Sequence, residues 1–194
     1  MVGTILFHLV CYYSVNRIND LRPASQFWNL SISADNNIPY IGWTWIFYYI
    51  GVPYMSFWAF AVMWNLPDIH FRSSLRAYWG MIPIGAALQL LVPARSPWPV
   101  RPVPFQAFMH TRISYDPYVC FPSMHVALSI LPACLSLHAF RSPWIRFISI
   151  MLAASISVST LTMKEHYFID SLSGLALGLA AYVFSRRKTS RSHG

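Results

Sequence analysis

The chain has 194 residues, of which 56% are hydrophobic and only 10% are charged. Soluble domains carry about a quarter charged residues, so this composition excludes an ordinary soluble protein and indicates that lipid is the solvent. The net charge of +8 does not indicate nucleic-acid binding, because the basic residues fall at the ends of apolar runs and form no stripe with interleaved aromatics. Three cysteines give neither a disulfide framework nor a paired-cysteine metal motif, and we interpret them as free thiols.

Several apolar runs have the length that a membrane-spanning helix needs, which is about 20 residues. A first run, from Val2 to about Val15, is short for a span, and we take it as the remainder of a first helix. The other runs cover residues 43–64, 75–93, 122–139, 145–163 and 167–185. The sequence therefore predicts an all-α, multi-pass transmembrane bundle of about six helices. Residues 1–185 would form a single domain with a motif-bearing core at 75–185, and residues 186–194 a basic cytoplasmic tail.

The distribution of basic residues predicts the orientation of this bundle. With six spans, both termini and the loops after the second and fourth helices lie on one side of the membrane. That side holds Arg72, Arg76, Arg141, Arg146, Arg186, Arg187, Lys188 and Arg191. By the positive-inside rule the termini are cytoplasmic, and the opposite side is periplasmic or lumenal, in a plasma or inner membrane or in the ER or Golgi.

Two polar clusters occur where apolar helices begin on the outer side. The first is Phe121-Pro122-Ser123-Met124-His125, and the N–H groups at a helix start bind anions, so Ser123 and His125 lie where a phosphate would be held. In the second cluster, His166 and Asp170 are four residues apart and share a helical face. The carboxylate can hold one ring nitrogen and leave the other free to attack. The two clusters together predict a histidine nucleophile facing a phosphate.

A phosphate in a membrane site also needs positive charge, and the outer loops offer Arg95, Arg101 and Lys164 as phosphate-binding candidates. We predict no metal and no cofactor. Only six acidic residues exist, and Asp20, Asp35 and Asp68 lie away from the motifs in the sequence, so no carboxylate cluster suits magnesium.

These residues resemble the three ordered motifs of the type 2 phosphatidate phosphatase superfamily, which includes lipid phosphate phosphatases. The motifs are Arg101-Pro102, then Phe121 to His125, then Ser159 to Asp170. The patterns Tyr115-Asp116-Pro117 and Thr162-x-x-x-His166-Tyr167-x-x-Asp170 are most similar to the branch of inositol phosphorylceramide synthase-like phosphotransferases. The similarity covers about residues 75–185.

The resemblance implies a six-helix bundle with its phosphate pocket at the outer membrane surface. It also implies that His166 is the nucleophile, Asp170 its orienting partner and His125 the acid that protonates the leaving oxygen. Ser123 and Arg101 would contact phosphate oxygens. Two cations of the family pattern are missing, because their places hold Ala94 and Thr160. Arg95 and Lys164 are the neighbouring candidates to replace them.

We therefore expect a metal-independent lipid phosphatase or phosphotransferase that moves a phosphate or phospho-headgroup through a phosphohistidine. The substrate would be a phospholipid or an isoprenoid or sphingolipid phosphate. One alternative is a ceramide or diacylglycerol headgroup phosphotransferase rather than a hydrolase. A haem- or quinone-binding membrane subunit, with His125 and His166 as axial ligands, is an alternative of another class, but it would not need Ser123 or Asp170. A non-catalytic lipid-binding relative is a third possibility.

Overall fold

The fold is all-helical in a computed structural model that describes residues 2–97, 104 and 119–190. The helices are α1 (Val2–Asp20), α2 (Ser33–Asn37), α3 (Trp45–Pro53), α4 (Ala59–Trp64), α5 (Asp68–Leu91), α6 (Met124–Ala139), α7 (Pro143–Thr162) and α8 (Phe168–Ser190). A 3-10 turn at Gly42–Thr44 leads into α3, and a π-helical turn at Tyr54–Trp58 joins α3 to α4. Residues 42–64 therefore form one continuous helical segment. The predicted all-α class is confirmed.

Six helical segments of the described chain alternate in direction: α1, the 42–64 segment, α5, α6, α7 and α8. At one end of the bundle Asn19 Nδ2 donates to Gln89 O, Ile41 N donates to Thr162 O, and Ser123 N donates to Asp170 O. At the other end Ser73 Oγ donates to the carbonyl of Ser185. Both predicted polar clusters therefore lie at the same end, which we call the site end.

Three of these segments are long and apolar enough to cross a membrane: Gly42–Trp64, Pro143–Thr162 and Phe168–Arg186. Large apolar side chains on their outer faces are exposed, among them Phe147, Ile148, Val158, Leu172 and Phe184. Exposed tryptophans stand at segment ends, as in the aromatic belts of membrane proteins: Trp43, Trp64 and Trp144. The chain is a membrane-embedded helical bundle.

Helix α6 lies in the interior of the bundle. Leu128, Leu131 and Leu135 on its faces are fully buried, in one apolar cluster with Val62 and Met81 of the neighbouring segments. Because packed interiors tolerate little displacement, the start of α6 is held in a defined place. Ser123 and His125 lie at that start.

Close contact between α6 and α8 depends on two glycines of α8. A Cβ atom at Gly174 would collide with the carbonyl oxygen of Ser123, and one at Gly178 would lie 2.7 Å from the carbonyl oxygen of Ala127. The small-x-x-x-small spacing thus brings the two backbones together, as such patterns do between membrane helices. This approach places Asp170, one turn before Gly174, beside Ser123.

Three helix boundaries differ from the predicted ones. Helix α1 continues to Asp20, and its 19 residues would span about 28 Å, because its polar residues Asn16 and Asn19 are buried against the bundle. Helix α5 begins at Asp68 rather than at 75, after Pro67 and with the Asp68 carboxylate in its first turn, a favourable start for a helix. Helix α8 runs to Ser190, so it includes part of the predicted tail. An apolar run in the sequence marks the part of a helix that lies in lipid, and the helix itself can begin or end several residues outside that run.

Candidate active site

The two predicted clusters meet through a backbone hydrogen bond. The N–H of Ser123, the residue before α6, donates to the carbonyl oxygen of Asp170 in the first turn of α8 over 3.0 Å. The Ser123 side chain makes no capping bond to α6, so its hydroxyl remains available to a ligand. The structure thus brings Ser123, His125, His166 and Asp170 together.

The Asp170 carboxylate is the fixed point of the site. Its side chain is fully buried, and its Oδ2 accepts the Tyr167 N–H over 2.8 Å. His166 Nδ1 lies 3.7 Å from the same oxygen. The His166 N–H donates to the carbonyl of Thr160, which holds the loop between α7 and α8. The predicted His-x-x-x-Asp pair is therefore brought together, with the imidazole slightly beyond hydrogen-bond distance of the carboxylate. The predicted shared helical face is wrong, because His166 lies in the loop two residues before α8 begins at Phe168.

Cys120 lies between these two groups and was not predicted as a site residue from the sequence. Its thiol is 2.7 Å from Asp170 Oδ2 and 3.5 Å from His166 Nδ1. Burial, and then the negative charge of Asp170, raises the pKa of the Cys120 thiol, so the thiol is protonated and donates to the carboxylate. The prediction that the cysteines are free thiols is confirmed for Cys11, Cys120 and Cys134. The one signal for Cys120 was its position directly before Phe121-Pro122-Ser123.

Ser123 and His125 present unpartnered polar atoms to the site. Ser123 Oγ and His125 Nε2 are buried and have no hydrogen-bond partner among the described residues. The His125 ring stacks on Tyr48 with centroids 4.2 Å apart, and its centroid is 6.3 Å from that of His166. Both imidazoles line a cavity of about 50 Å³, together with Tyr48 and Gln89 among others. Buried polar groups normally find partners, so this pair indicates a place built for a polar ligand.

The three predicted phosphate-binding cations have different positions. Arg95 is exposed, and its guanidinium lies over the ring of Phe27 at 5.5 Å from the centroid. Lys164 Nζ donates to the carbonyl oxygens of Asp35 and Ile38, over 3.0 and 2.6 Å. Arg101 lies outside the described residues. The ammonium group of Lys164 is therefore bound by backbone carbonyl oxygens.

Asp35 was assigned to a place away from the motifs, and the structure corrects that assignment. Its Oδ1 accepts the N–H of Phe168, the first residue of α8, over 2.8 Å. The carboxylate therefore sits at the N-terminus of the helix that carries Asp170, where a negative charge is favourable. Residues 35 and 168 are too far apart in sequence for any local pattern to reveal the pairing.

Among the described residues, one group of side chains has metal-ligating atoms close together: Cys120, His166 and Asp170, within 4.8 Å of one another. All three are buried. The donors are sulfur, nitrogen and oxygen, a set that suits zinc and not magnesium.

The fold and this site define a membrane-embedded helical protein with a buried histidine–aspartate pair facing a serine and a second histidine. A family profile described as the PAP2 superfamily matches residues 27–184. The chain belongs to the PAP2 superfamily, which comprises phosphatases and phosphotransferases that act on lipid phosphates. No curated protein and no solved structure matched the chain.

Proposed function

We propose that the protein is a lipid phosphatase or phosphotransferase that works through a phosphohistidine on His166 and needs no metal. The observation that carries this proposal is the pair of buried, unpartnered atoms, Ser123 Oγ and His125 Nε2, beside His166 and Asp170. A hydroxyl at a helix start and a free ring nitrogen are what a phosphate ester requires opposite a nucleophile.

The reaction follows from these positions. His166 Nε2 attacks phosphorus in line with the ester oxygen, the P–O bond breaks, and His125 gives its proton to the leaving oxygen. Asp170 holds the proton on Nδ1, so that the lone pair is on Nε2. The 3.7 Å separation of Nδ1 from the carboxylate is typical of a site before substrate closes it. Water or an alcohol, losing its proton to His125, then takes the phosphoryl group from His166.

The charge of the site favours phosphodiesters and headgroup transfer. A monoester is close to dianionic and a diester is monoanionic, so the monoester needs more compensating charge. The two family positions for cations hold Ala94 and Thr160, both fully buried. Lys164 is bound to carbonyl oxygens, so Arg101 and Arg95 are the remaining proposed phosphate contacts. The deficit of cations is the ground on which we propose headgroup transfer of the inositol phosphorylceramide synthase-like kind, and ceramide and diacylglycerol are the acceptors that we propose to test.

We place the site on the periplasmic or lumenal face, with both termini in the cytoplasm. The site end of the bundle carries Arg17, Arg22, Arg95 and Lys164. The opposite end carries Arg72, Arg76, Arg141, Arg146 and Arg186 among the described residues, in line with the positive-inside rule. Chemistry would then occur at the outer leaflet.

The test is thin-layer assay of the purified protein against phosphatidate, a prenyl phosphate, and phosphatidylinositol with ceramide or diacylglycerol as acceptor. We expect turnover of at least one of these, headgroup transfer from the diester, and none with His166→Ala. A folded protein that turns over none of these substrates would contradict the proposal. Hydrolysis of monoesters alone would contradict the preference for diesters.

A further inference from the structure

The thiol, imidazole and carboxylate at the site form a triangle with the dimensions of a zinc site. Cys120 Sγ lies 3.5 Å from His166 Nδ1 and 2.7 Å from Asp170 Oδ2, and the last two atoms are 3.7 Å apart. Zinc bonds of about 2.3 Å to sulfur and about 2.0–2.2 Å to nitrogen and oxygen give tetrahedral edges of about 3.3–3.6 Å. An outward shift of less than 1 Å in the sulfur–oxygen edge would complete three corners of a tetrahedron.

A second observation concerns the other oxygen of the same carboxylate. Asp170 is fully buried, and its Oδ1 has no hydrogen-bond partner among the described residues. A carboxylate has about four acceptor positions. The Tyr167 N–H and the Cys120 thiol occupy two of them, both on Oδ2. Asp170 therefore has unused ligating capacity in a buried position.

We propose that Zn²⁺ binds to Cys120, His166 and Asp170 and that the bound ion switches the enzyme off. The inhibitory half of this proposal rests on the proposed function, whereas the binding half does not. Thiolate, imidazole and carboxylate are all ligands that zinc accepts, and one further position would hold water. Of the three proposed ligands, His166 also lines the cavity of the active site.

Inhibition follows from which nitrogen the metal takes. On binding, the Cys120 thiol loses its proton to solvent, so thiolate and carboxylate together balance the two charges of the ion. The metal bond uses the lone pair of His166 Nδ1, and the ring proton then sits on Nε2. Nε2 has no lone pair left for phosphorus. Because Nδ1 then carries the metal instead of a proton, Asp170 can no longer orient the ring through that proton.

The binding test uses the purified, metal-free protein in detergent with Co²⁺ as a coloured probe for Zn²⁺. We expect a thiolate-to-cobalt charge-transfer band and tetrahedral visible bands at one ion per chain, both removed by Zn²⁺. Cys120→Ser should lose the charge-transfer band and bind at least about 100-fold more weakly. Cys134→Ser, which removes a partly buried thiol within α6, is the matched control and should behave as the wild type.

A band that persists in Cys120→Ser, or that disappears in Cys134→Ser, would overturn the site. Thermal melting of each variant checks its fold. If Cys120→Ser does not fold, the Co²⁺ affinity of His166→Ala tests the site instead. That variant should bind Co²⁺ at least about 10-fold more weakly than the wild type, and equal affinity would reject the site. Equally weak binding in all variants, the wild type included, would also reject it.

The activity arm compares the Zn²⁺ concentration for half-inhibition between proteins. Inhibition of wild type and Cys134→Ser at a concentration at least about 10-fold below that for Cys120→Ser supports the proposal, and equal sensitivity contradicts it. Cysteine-dependent binding without any lipid phosphate turnover would leave the site standing and reject the proposed function. Lipid phosphate turnover without cysteine-dependent metal binding would reject the zinc site and leave the proposed function standing.

Discussion

Among single residues, Asp170 connects the two halves of the active site. Its Oδ2 receives the Tyr167 N–H and the Cys120 thiol, and His166 Nδ1 lies near the same atom. The backbone carbonyl of the same residue accepts the Ser123 N–H. Asp170 therefore fixes both the proposed nucleophile and the serine that faces it. Its charge and its backbone serve separate purposes, and a substitution can separate them.

Asp170→Asn keeps the backbone contact and removes the charge. We expect kcat to fall by about 10³–10⁴-fold, because an amide no longer favours the His166 tautomer whose Nε2 carries the lone pair. Steady-state turnover of the best lipid substrate measures this, with circular dichroism to verify the fold. Asp20→Asn, at a half-exposed carboxylate paired with Arg17, is the control and should retain full activity. A loss below 10-fold for Asp170→Asn would argue against the orienting role.

The sequence predicted His166, Asp170, Ser123 and His125 because the two members of each pair are four or two residues apart and flank the first residue of a helix. It did not predict Cys120 or Asp35 as site residues. A thiol is usually an ordinary buried side chain, and its role depends on a carboxylate 50 residues away. Asp35 is 133 residues from its partner Phe168. Such contacts follow from helix packing, which short motifs do not encode.

At the scale of elements, the polar segment between α1 and α3 holds the loop that carries His166. Asp35 accepts the first N–H of α8, and Lys164 Nζ binds the carbonyls of Asp35 and Ile38. At the other end of the loop, the Ile41 N–H donates to the Thr162 carbonyl over 2.9 Å. Lys164 itself has φ 58°, a left-handed conformation that needs support for a side chain of this size. The segment is therefore a brace for the loop.

Lys164→Met tests whether this lysine braces the loop or binds phosphate. We expect a lower melting temperature and a lower kcat with little change in KM, because the lost bonds are to carbonyl oxygens and not to substrate. Thermal unfolding and steady-state kinetics measure both. Arg17→Met, which removes an exposed cation at the same end of the bundle, is the control and should change neither. A large rise in KM with unchanged melting would assign Lys164 to the phosphate instead.

Gly174→Ala tests the contact between α6 and α8. The new methyl group would meet the Ser123 carbonyl oxygen and lie 3.1 Å from Val126 Cβ, so the helices must separate. We expect a loss of about 1–3 kcal/mol in stability, measured by thermal or denaturant unfolding in detergent, and a loss of activity through displacement of Ser123. Gly80→Ala is the matched control, since nothing lies within 4 Å of its added Cβ. It should be neutral or more stable by up to about 1 kcal/mol. Equal effects of both variants would contradict the close approach.

The type and approximate position of the helices could be predicted because apolar runs and their polar interruptions are strong signals. The start of α5 could not be predicted, because Asp68 and Arg72 lower the hydropathy of the two turns before residue 75, which are helical all the same. The position of α2 against α8 could not be predicted from the sequence either. It depends on a buried carboxylate, Asp35, in a segment whose composition resembles a loop.

At the scale of the whole molecule, alternation of the six segments gathers every described site residue at one end. The Trp28–Ala94 backbone bridge and the Ser123–Asp170 hydrogen bond lie at that end, and the Ser73–Ser185 hydrogen bond lies at the other. Opposite ends of a spanning bundle face opposite compartments. The proposed orientation can therefore be tested with a single residue at each end.

Ala24→Cys and Asn65→Cys report the two ends, since both residues are exposed and lie outside the long helices. The background carries serine at Cys11 and Cys134, while Cys120 remains because it is buried. In sealed cells an impermeant maleimide should label Ala24→Cys at once and Asn65→Cys only after permeabilisation. The reverse pattern would invert the proposed topology.

The central claim is that a phosphoryl group passes through His166. The most direct measurement is rapid quench of the purified protein with a lipid labelled at phosphorus, followed by mass spectrometry of its peptides. We expect one acid-labile, base-stable label per chain, located on His166 and absent from His166→Ala. Lipid turnover with label on His125, or with the same label retained in His166→Ala, would contradict it.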